Sequence, residues 1–260
     1  MNGESLPRTL AVALGVALFS SLLVSVTAVT LRPAQLAWAE IGRNRVIVEL
    51  AGLLPEGAEA PDRVVATRYA TLEARLVDLA SGAFVDGVDP LTFDAETASR
   101  DPDRSVAVAE GHDPAGLGRR ERVAPVWLVP GATGIERVVL PVRGKGMWST
   151  IHGFVALDGG GRTVQGIAFH EHGETPGIGD RIERPDWRQS WVGKQVYDEA
   201  GAVALHPAPP EVAADDPHAF DAITGATVTV TSVTRLVDYW LGEDGYGPFL
   251  ARLHAGEVTP

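Results

Sequence analysis

The sequence predicts an α+β protein: one N-terminal transmembrane helix, then a soluble domain in which helices flank an antiparallel sheet. Three observations lead there. Residues 9–31 form a charge-free apolar run, residues 123–169 hold four short strand-like runs parted by Gly-rich turns, and a helical apolar stripe lies near the C-terminus. At 260 residues the chain is long enough to bury a full core, and 45% hydrophobic with 22% charged residues exclude a disordered chain. A net charge of −12 argues against nucleic acid as a partner, because phosphate neutralisation needs clustered Lys and Arg. The absence of cysteine removes disulfides, thiolate metal sites, iron–sulfur clusters and cysteine nucleophiles together. Redox chemistry in such a chain must come from a bound cofactor.

Residues 1–8 read as a short tail ending at Arg8, and residues 9–31 as the span. At about 1.5 Å per residue the run reaches roughly 35 Å, more than a hydrocarbon core of about 30 Å. Val26-Thr27-Ala28 resembles a signal-peptide cleavage site, but the run exceeds the roughly 7–15 apolar residues of a signal sequence, so it reads as a retained anchor. Arg8 precedes the span while Arg32, Arg43 and Arg45 follow it, too small a bias to fix the side on which the domain lies.

Residues 32–60 read as a juxtamembrane helix and linker, closed by the turn chemistry of Leu54-Pro55-Glu56-Gly57, and residues 61–260 as the soluble domain. Val65, Tyr69, Leu72, Leu76 and Leu79 alternate spacings of four and three, which predicts an amphipathic helix stopped by Ser81-Gly82. Residues 89–118 are polar and read as a surface excursion. Runs at 123–129, 135–142, 151–157 and 163–169 then predict an antiparallel sheet, with hairpin-length links such as Asp158-Gly159-Gly160-Gly161. Val233, Leu236, Val237, Trp240 and Leu241 form the stripe of a last helix, with Thr231 or Ser232 as its N-cap and Gly242 as its stop.

The candidate site is Asp221-Ala222-Ile223-Thr224-Gly225-Ala226-Thr227, just before that helix. Gly225 and Ala226 lack bulk and allow close approach to the Thr227 hydroxyl. A helix beginning nearby offers unpaired N–H groups to a negative charge. A threonine hydroxyl is a poor nucleophile, so a modification there needs an enzyme and a recognition sequence. Gly131-Ala132-Thr133 repeats the tripeptide with Trp127, not an acid, six residues before Thr133, so Thr133 reads as an unmodified turn residue. Two further segments stand out: Gly144-Lys145-Gly146-Met147-Trp148 and Glu174-Thr175-Pro176-Gly177. His170 and His172 alternate like strand neighbours but lack a third ligand at recognisable spacing, so no metal site is predicted.

The heptapeptide resembles the flavinylation signal Asp-x-x-(Ser/Thr)-Gly-Ala-Thr, in which the last threonine carries FMN through a phosphodiester. With the N-terminal span, the two segments above, Trp191-Val192-Gly193-Lys194 and the Trp240 to Leu250 run, nearly the whole chain resembles the C subunit of the Na+-translocating NADH:quinone reductase, related to the G subunit of the Rnf complex. The Trp240 to Leu250 run and the length of the region from Asp89 to Gly118 favour the former, with the Rnf-type subunit and a flavin-free membrane scaffold or sensor as alternatives. The resemblance implies covalent FMN at Thr227, within the motif Asp221, Thr224, Gly225 and Ala226. It implies electron transfer from NADH to quinone coupled to Na+ export, other subunits of that complex as partners, and a flavin transferase for maturation. It also implies a single pass through the bacterial inner membrane with the soluble FMN-binding domain periplasmic. Thr224 stands where serine is usual and Ala222 where glycine is common. Around the ring, Gly144-Lys145-Gly146 is expected to bring backbone close and Lys145 to favour the anionic reduced or semiquinone form, Trp148 to stack on the ring, and the N–H groups of the turn from Glu174 to Gly177 and the Thr175 hydroxyl to meet its polar edge. No Gly-x-Gly-x-x-Gly fingerprint follows a strand, so NADH is expected to bind another subunit.

Overall fold

The computed structural model describes residues 6–132 and 134–258, which fall into two compact units divided between Arg43 and Asn44. Thr133 lies outside the described residues. The first unit is the greater part of helix α1 (Leu6–Leu50), which runs without a break through Pro33. Its most apolar 18-residue window has a mean hydropathy of 2.3 and no buried residue, so it is long and apolar enough to cross a membrane. Two of its threonine hydroxyls are satisfied within the helix: Thr27 donates to the Leu23 carbonyl at 2.8 Å and Thr30 to the Val26 carbonyl at 2.9 Å.

In the second unit, α2 (Asp62–Tyr69) leads into β1 (Glu73–Asp78) and β2 (Phe84–Val85). The helix expected through Leu79 therefore stops at Tyr69. Its spacing of four and three fits a helix, but β1 pairs antiparallel with β5 over Glu73↔Leu128 to Asp78↔Val123, satisfying backbone groups that a helix would leave open on β5. The polar excursion is also partly ordered. It holds α3 (Ala95–Arg100), capped by the Asp94 carboxylate, and β3 (Ser105–Ala107), which pairs with β4 (Arg119–Glu121).

Strands β5 (Val123–Gly131), β6 (Gly134–Lys145), β7 (Thr150–Asp158) and β8 (Val164–Glu171) follow where the β-branched runs place them. The sheet has the order β2-β1-β5-β6-β7-β8, antiparallel throughout. After β8 come α4 (Pro185–Gln189), β9 (His206–Ala208), α5 (Pro210–Ala213), β10 (Ala219–Asp221), α6 (Thr227–Leu241) and α7 (Gly247–His254).

Both sheet faces are covered, because period-2 alternation sends neighbouring side chains to opposite sides. Val138, Leu140 and Val142 join the core with Val233, Leu236 and Val237 of α6, while Val139, Phe154 and Ala168 pack with Ile47, Leu50 and Ala51 around the end of α1. Helix α6 starts at Thr227, so Thr231 and Ser232 lie within it and neither is its N-cap. Gly242 ends the helix as expected, its N–H donating to the Asp238 carbonyl at 3.0 Å.

Candidate functional site

The stretch from Asp221 to Thr227 turns a strand into a helix within a few residues. Asp221 closes β10, whose parallel pairing with β9 sets it opposite Ala208. Its backbone is clamped twice: the N–H donates to the Ser190 hydroxyl at 3.1 Å, and the carbonyl accepts the Trp187 indole N–H at 2.7 Å. Its half-buried carboxylate has no hydrogen-bond partner in the described structure. The chain then turns through Ile223 to Ala226, where the Ala226 N–H donates to the Ile223 carbonyl at 3.1 Å. Gly225 sits at φ +85°, the left-handed value that the third residue of a type II turn requires. Nothing lies within 4 Å of a side chain built there, so backbone conformation alone selects glycine. Thr224 is exposed, and its carbonyl receives Arg181 Nη1 at 3.5 Å.

Buried Ala226 occupies the N-cap position of α6, and among the described residues no side chain caps the helix. Thr227, the first helical residue, is exposed. Its hydroxyl therefore stands at the positive end of a 15-residue helix whose first N–H groups lack a side-chain acceptor.

Two other segments are bound to this helix start through Glu174, which is only 4% exposed. One carboxylate oxygen accepts the Met147 N–H at 2.8 Å, and the other accepts the Thr229 hydroxyl in a short hydrogen bond. The backbone is shaped around this brace. A Cβ on Gly146 would overlap the Glu174 carboxylate, and one on Gly179 would sit 2.9 Å from Glu174 Cβ and 3.0 Å from the Thr229 hydroxyl. Trp148 is 70% exposed and donates its indole N–H to the Thr175 hydroxyl at 3.2 Å. The Thr175 carbonyl accepts the N–H groups of Ile178, Gly179 and Asp180, holding that turn closed. Met147, Trp148, Ile178 and Val228 thus form exposed apolar surface on the segments that converge at Thr227.

Of the predicted residues, the fold joins Gly146, Trp148, Glu174 and Thr175 to the start of α6. The Glu174 carboxylate is spent on the brace and turned inward. Lys145 points elsewhere. Gly144 faces Leu236 of α6, so Lys145 projects from the opposite side of β6, beside Gly116. His172 is engaged locally: it accepts the Glu174 N–H at 3.2 Å, and its other ring nitrogen lies 2.9 Å from Glu183. Sequence reading misses Thr229, Arg181, Trp187 and Ser190. Their partners are 55, 43, 34 and 31 residues away in the chain, and no local pattern marks them.

An exposed hydroxyl on an uncapped helix, with an indole and other exposed apolar side chains on the segments braced to that helix, suits a flavin mononucleotide, whose phosphate is anionic and whose flat ring has stackable faces. The class is an FMN-binding domain, and that family's model matches residues 146–242. The chain is 42% identical to the C subunit of the Na+-translocating NADH-quinone reductase of Yersinia pestis, over 99% of this chain and 96% of that one. It is also 42% identical to the C subunit of the Pseudomonas aeruginosa reductase, over 99% of each. The crystal structure of Shewanella oneidensis NqrC matches with a TM-score of 0.72 at 32% identity, covering 82% of this chain and 96% of that one. The chain belongs to the C-subunit family of the Na+-translocating NADH-quinone reductase.

Proposed function

We propose that the chain carries FMN on Thr227 through a phosphodiester and relays electrons within a Na+-translocating NADH:quinone reductase. It would thereby contribute to NADH oxidation, quinone reduction and Na+ export. The observation that carries this reading is the exposed Thr227 hydroxyl at the first position of an uncapped helix, six residues after an acid with a free carboxylate. FMN supplies the acceptance and release of electrons. The chain supplies placement. Free N–H groups at the start of α6 offset the phosphate charge, Trp148 presents an indole for stacking, and Thr175 fixes that indole through its N–H. Glu174 and Thr229 hold the hairpin and the helix in one geometry. Asp221, backbone-clamped with its carboxylate open, is the feature a flavin transferase reads.

In this reading α1 anchors the protein in the bacterial inner membrane by a single pass, with residues 61–260 on the periplasmic side. The other subunits bind NADH and quinone. Residues 9–31 hold no ionisable side chain, so the Na+ path also lies with the partners.

The test is covalent labelling. Coexpressed with a flavin transferase, the chain gives a band in denaturing electrophoresis that fluoresces under ultraviolet light, and Thr227→Ala abolishes it. A Thr227→Ala band that stays fluorescent overturns the attachment. Asp221→Ala loses the label and Thr133→Ala keeps it, both read by mass spectrometry of tryptic peptides. A flavin-free wild-type chain from its native host would instead indicate a scaffold without redox chemistry.

A further inference from the structure

Where β6 ends and β7 begins lies a cleft of about 270 Å³. Lys145 and its cross-strand neighbour Thr150 line it with His152, opposite Arg100 of α3 and Arg119 at the start of β4. Its charges do not cancel. Arg143 is held by both Glu121 oxygens at 2.5 and 2.7 Å, and Arg100 is paired with Glu96 at 2.5 Å. Arg119 is different, because its partners are neutral: the Ser105 hydroxyl at 2.9 Å and the Pro102 and Ser105 carbonyls at 3.5 Å. The Lys145 ammonium and the Thr150 hydroxyl make no hydrogen bond in the described structure. Burial lowers the His152 pKa from its ordinary value, so the ring adds a hydrogen-bonding group and no charge at neutral pH. Two uncompensated cations therefore face one cleft in a chain of net charge −12.

The walls are preformed. The Asp113 carboxylate accepts the N–H groups of Leu117 and Gly118 at 2.9 and 2.7 Å, and the Lys145 N–H donates to the Ala115 carbonyl at 2.7 Å. Gly116 has φ +67°, and a Cβ there would approach Lys145 Cβ at 3.0 Å, so glycine lets the loop lie against the lysine. A ligand entering such a cleft orders little of the protein, which favours binding.

We propose that this cleft is a second anion site, for a phosphate monoester whose charge is shared by Arg119 and Lys145 and one of whose oxygens accepts from Thr150. A doubly negative phosphate matches two separate cations, whereas a carboxylate leaves one uncompensated. The volume is several times the about 30 Å³ that one water occupies in the liquid, so it also holds part of the group esterified to the phosphate. That group is either a small soluble alcohol or the glycerol of a phospholipid. The proposal does not require flavin at Thr227.

The test titrates the full chain in neutral detergent with glycerol 3-phosphate and with dihexanoyl phosphatidic acid, followed by calorimetry and phosphorus NMR. Saturable binding of either probe is expected, weakened at least tenfold by Arg119→Gln and by Lys145→Gln, left unchanged by Arg181→Gln, and weaker at high salt. Tighter binding of the lipid assigns a headgroup site, and tighter binding of the soluble ester a metabolite site. Lys145 is exposed and unpaired, so its variant keeps the fold and remains informative if Arg119→Gln is unstable, as thermal melting will show. No saturable binding of either probe, or binding indifferent to both substitutions, overturns the proposal. Flavin fluorescence of the same samples is read separately, so a failure of the flavin assignment is distinguishable from a failure of this one.

Discussion

Glu174 is a carboxylate taken out of water, and its two hydrogen bonds are the reason the structure tolerates it. Removing it leaves the Met147 N–H and the buried Thr229 hydroxyl without this acceptor. We expect Glu174→Ala to destabilise the chain by roughly 3 kcal/mol and Glu174→Gln by about 1 kcal/mol, since the amide oxygen still serves Met147. Denaturant unfolding in detergent checks both, and equal losses would refute the role of the two acceptors. Asp238 of α6 shows the opposite situation. Its Oδ1 is buried without a hydrogen-bond partner among the described residues, and desolvation raises its pKa from 3.8 to about 6. Between about pH 4 and 6 the folded chain holds a proton that the unfolded chain has released. Stability thus falls as pH rises through that window, and the loss is complete above it. Asp238→Asn should abolish this dependence and raise stability at pH 7 by on the order of 1 kcal/mol, after allowance for solvent screening of a half-buried group. Melting curves from pH 4 to 8 decide it.

Strand β6 is tied to β4 by a buried ion pair, with the Glu121 side chain only 2% exposed, and the Arg143 carbonyl accepts the Trp240 indole N–H from α6. One residue thus joins the sheet, its small neighbouring ladder and the helix that carries Thr227. Arg143→Leu strands the Glu121 charge in the interior and should cost roughly 3–5 kcal/mol, while the double change Arg143→Leu with Glu121→Leu recovers most of it. Chemical denaturation of the single and double variants measures the difference. Elements differ in how far the sequence announces them. β5 to β8 and the body of α6 are legible because their own side chains carry the period. β1 is not, because Val65 to Leu79 fits a helical spacing and only pairing with β5 makes part of it a strand. β9 and β10, three residues each, are too short for any period and exist through pairing with one another. The start of α6 departs from the expected threonine or serine cap, because the turn at Gly225 begins the helix with no cap.

At the scale of the whole molecule, a cysteine-free chain makes orientation directly measurable. Glu199 lies in an exposed turn, and Glu199→Cys should react with a membrane-impermeant maleimide in intact cells whose outer membrane has been permeabilised. Labelling only after inner-membrane lysis would put the domain in the cytoplasm and refute the periplasmic reading. The sequence by itself determined the charge-free span, the four central strands and the heptapeptide ending at Thr227, because each is written in residues adjacent along the chain. Which groups surround that threonine was decided only by the tertiary structure. Folding closes the 55-residue separation of Glu174 and Thr229, and strand alternation turns Lys145 away from α6 into a different cleft. Periodicity is a local property of the chain, whereas the partner of a buried polar group is chosen by whatever packing brings within hydrogen-bonding distance.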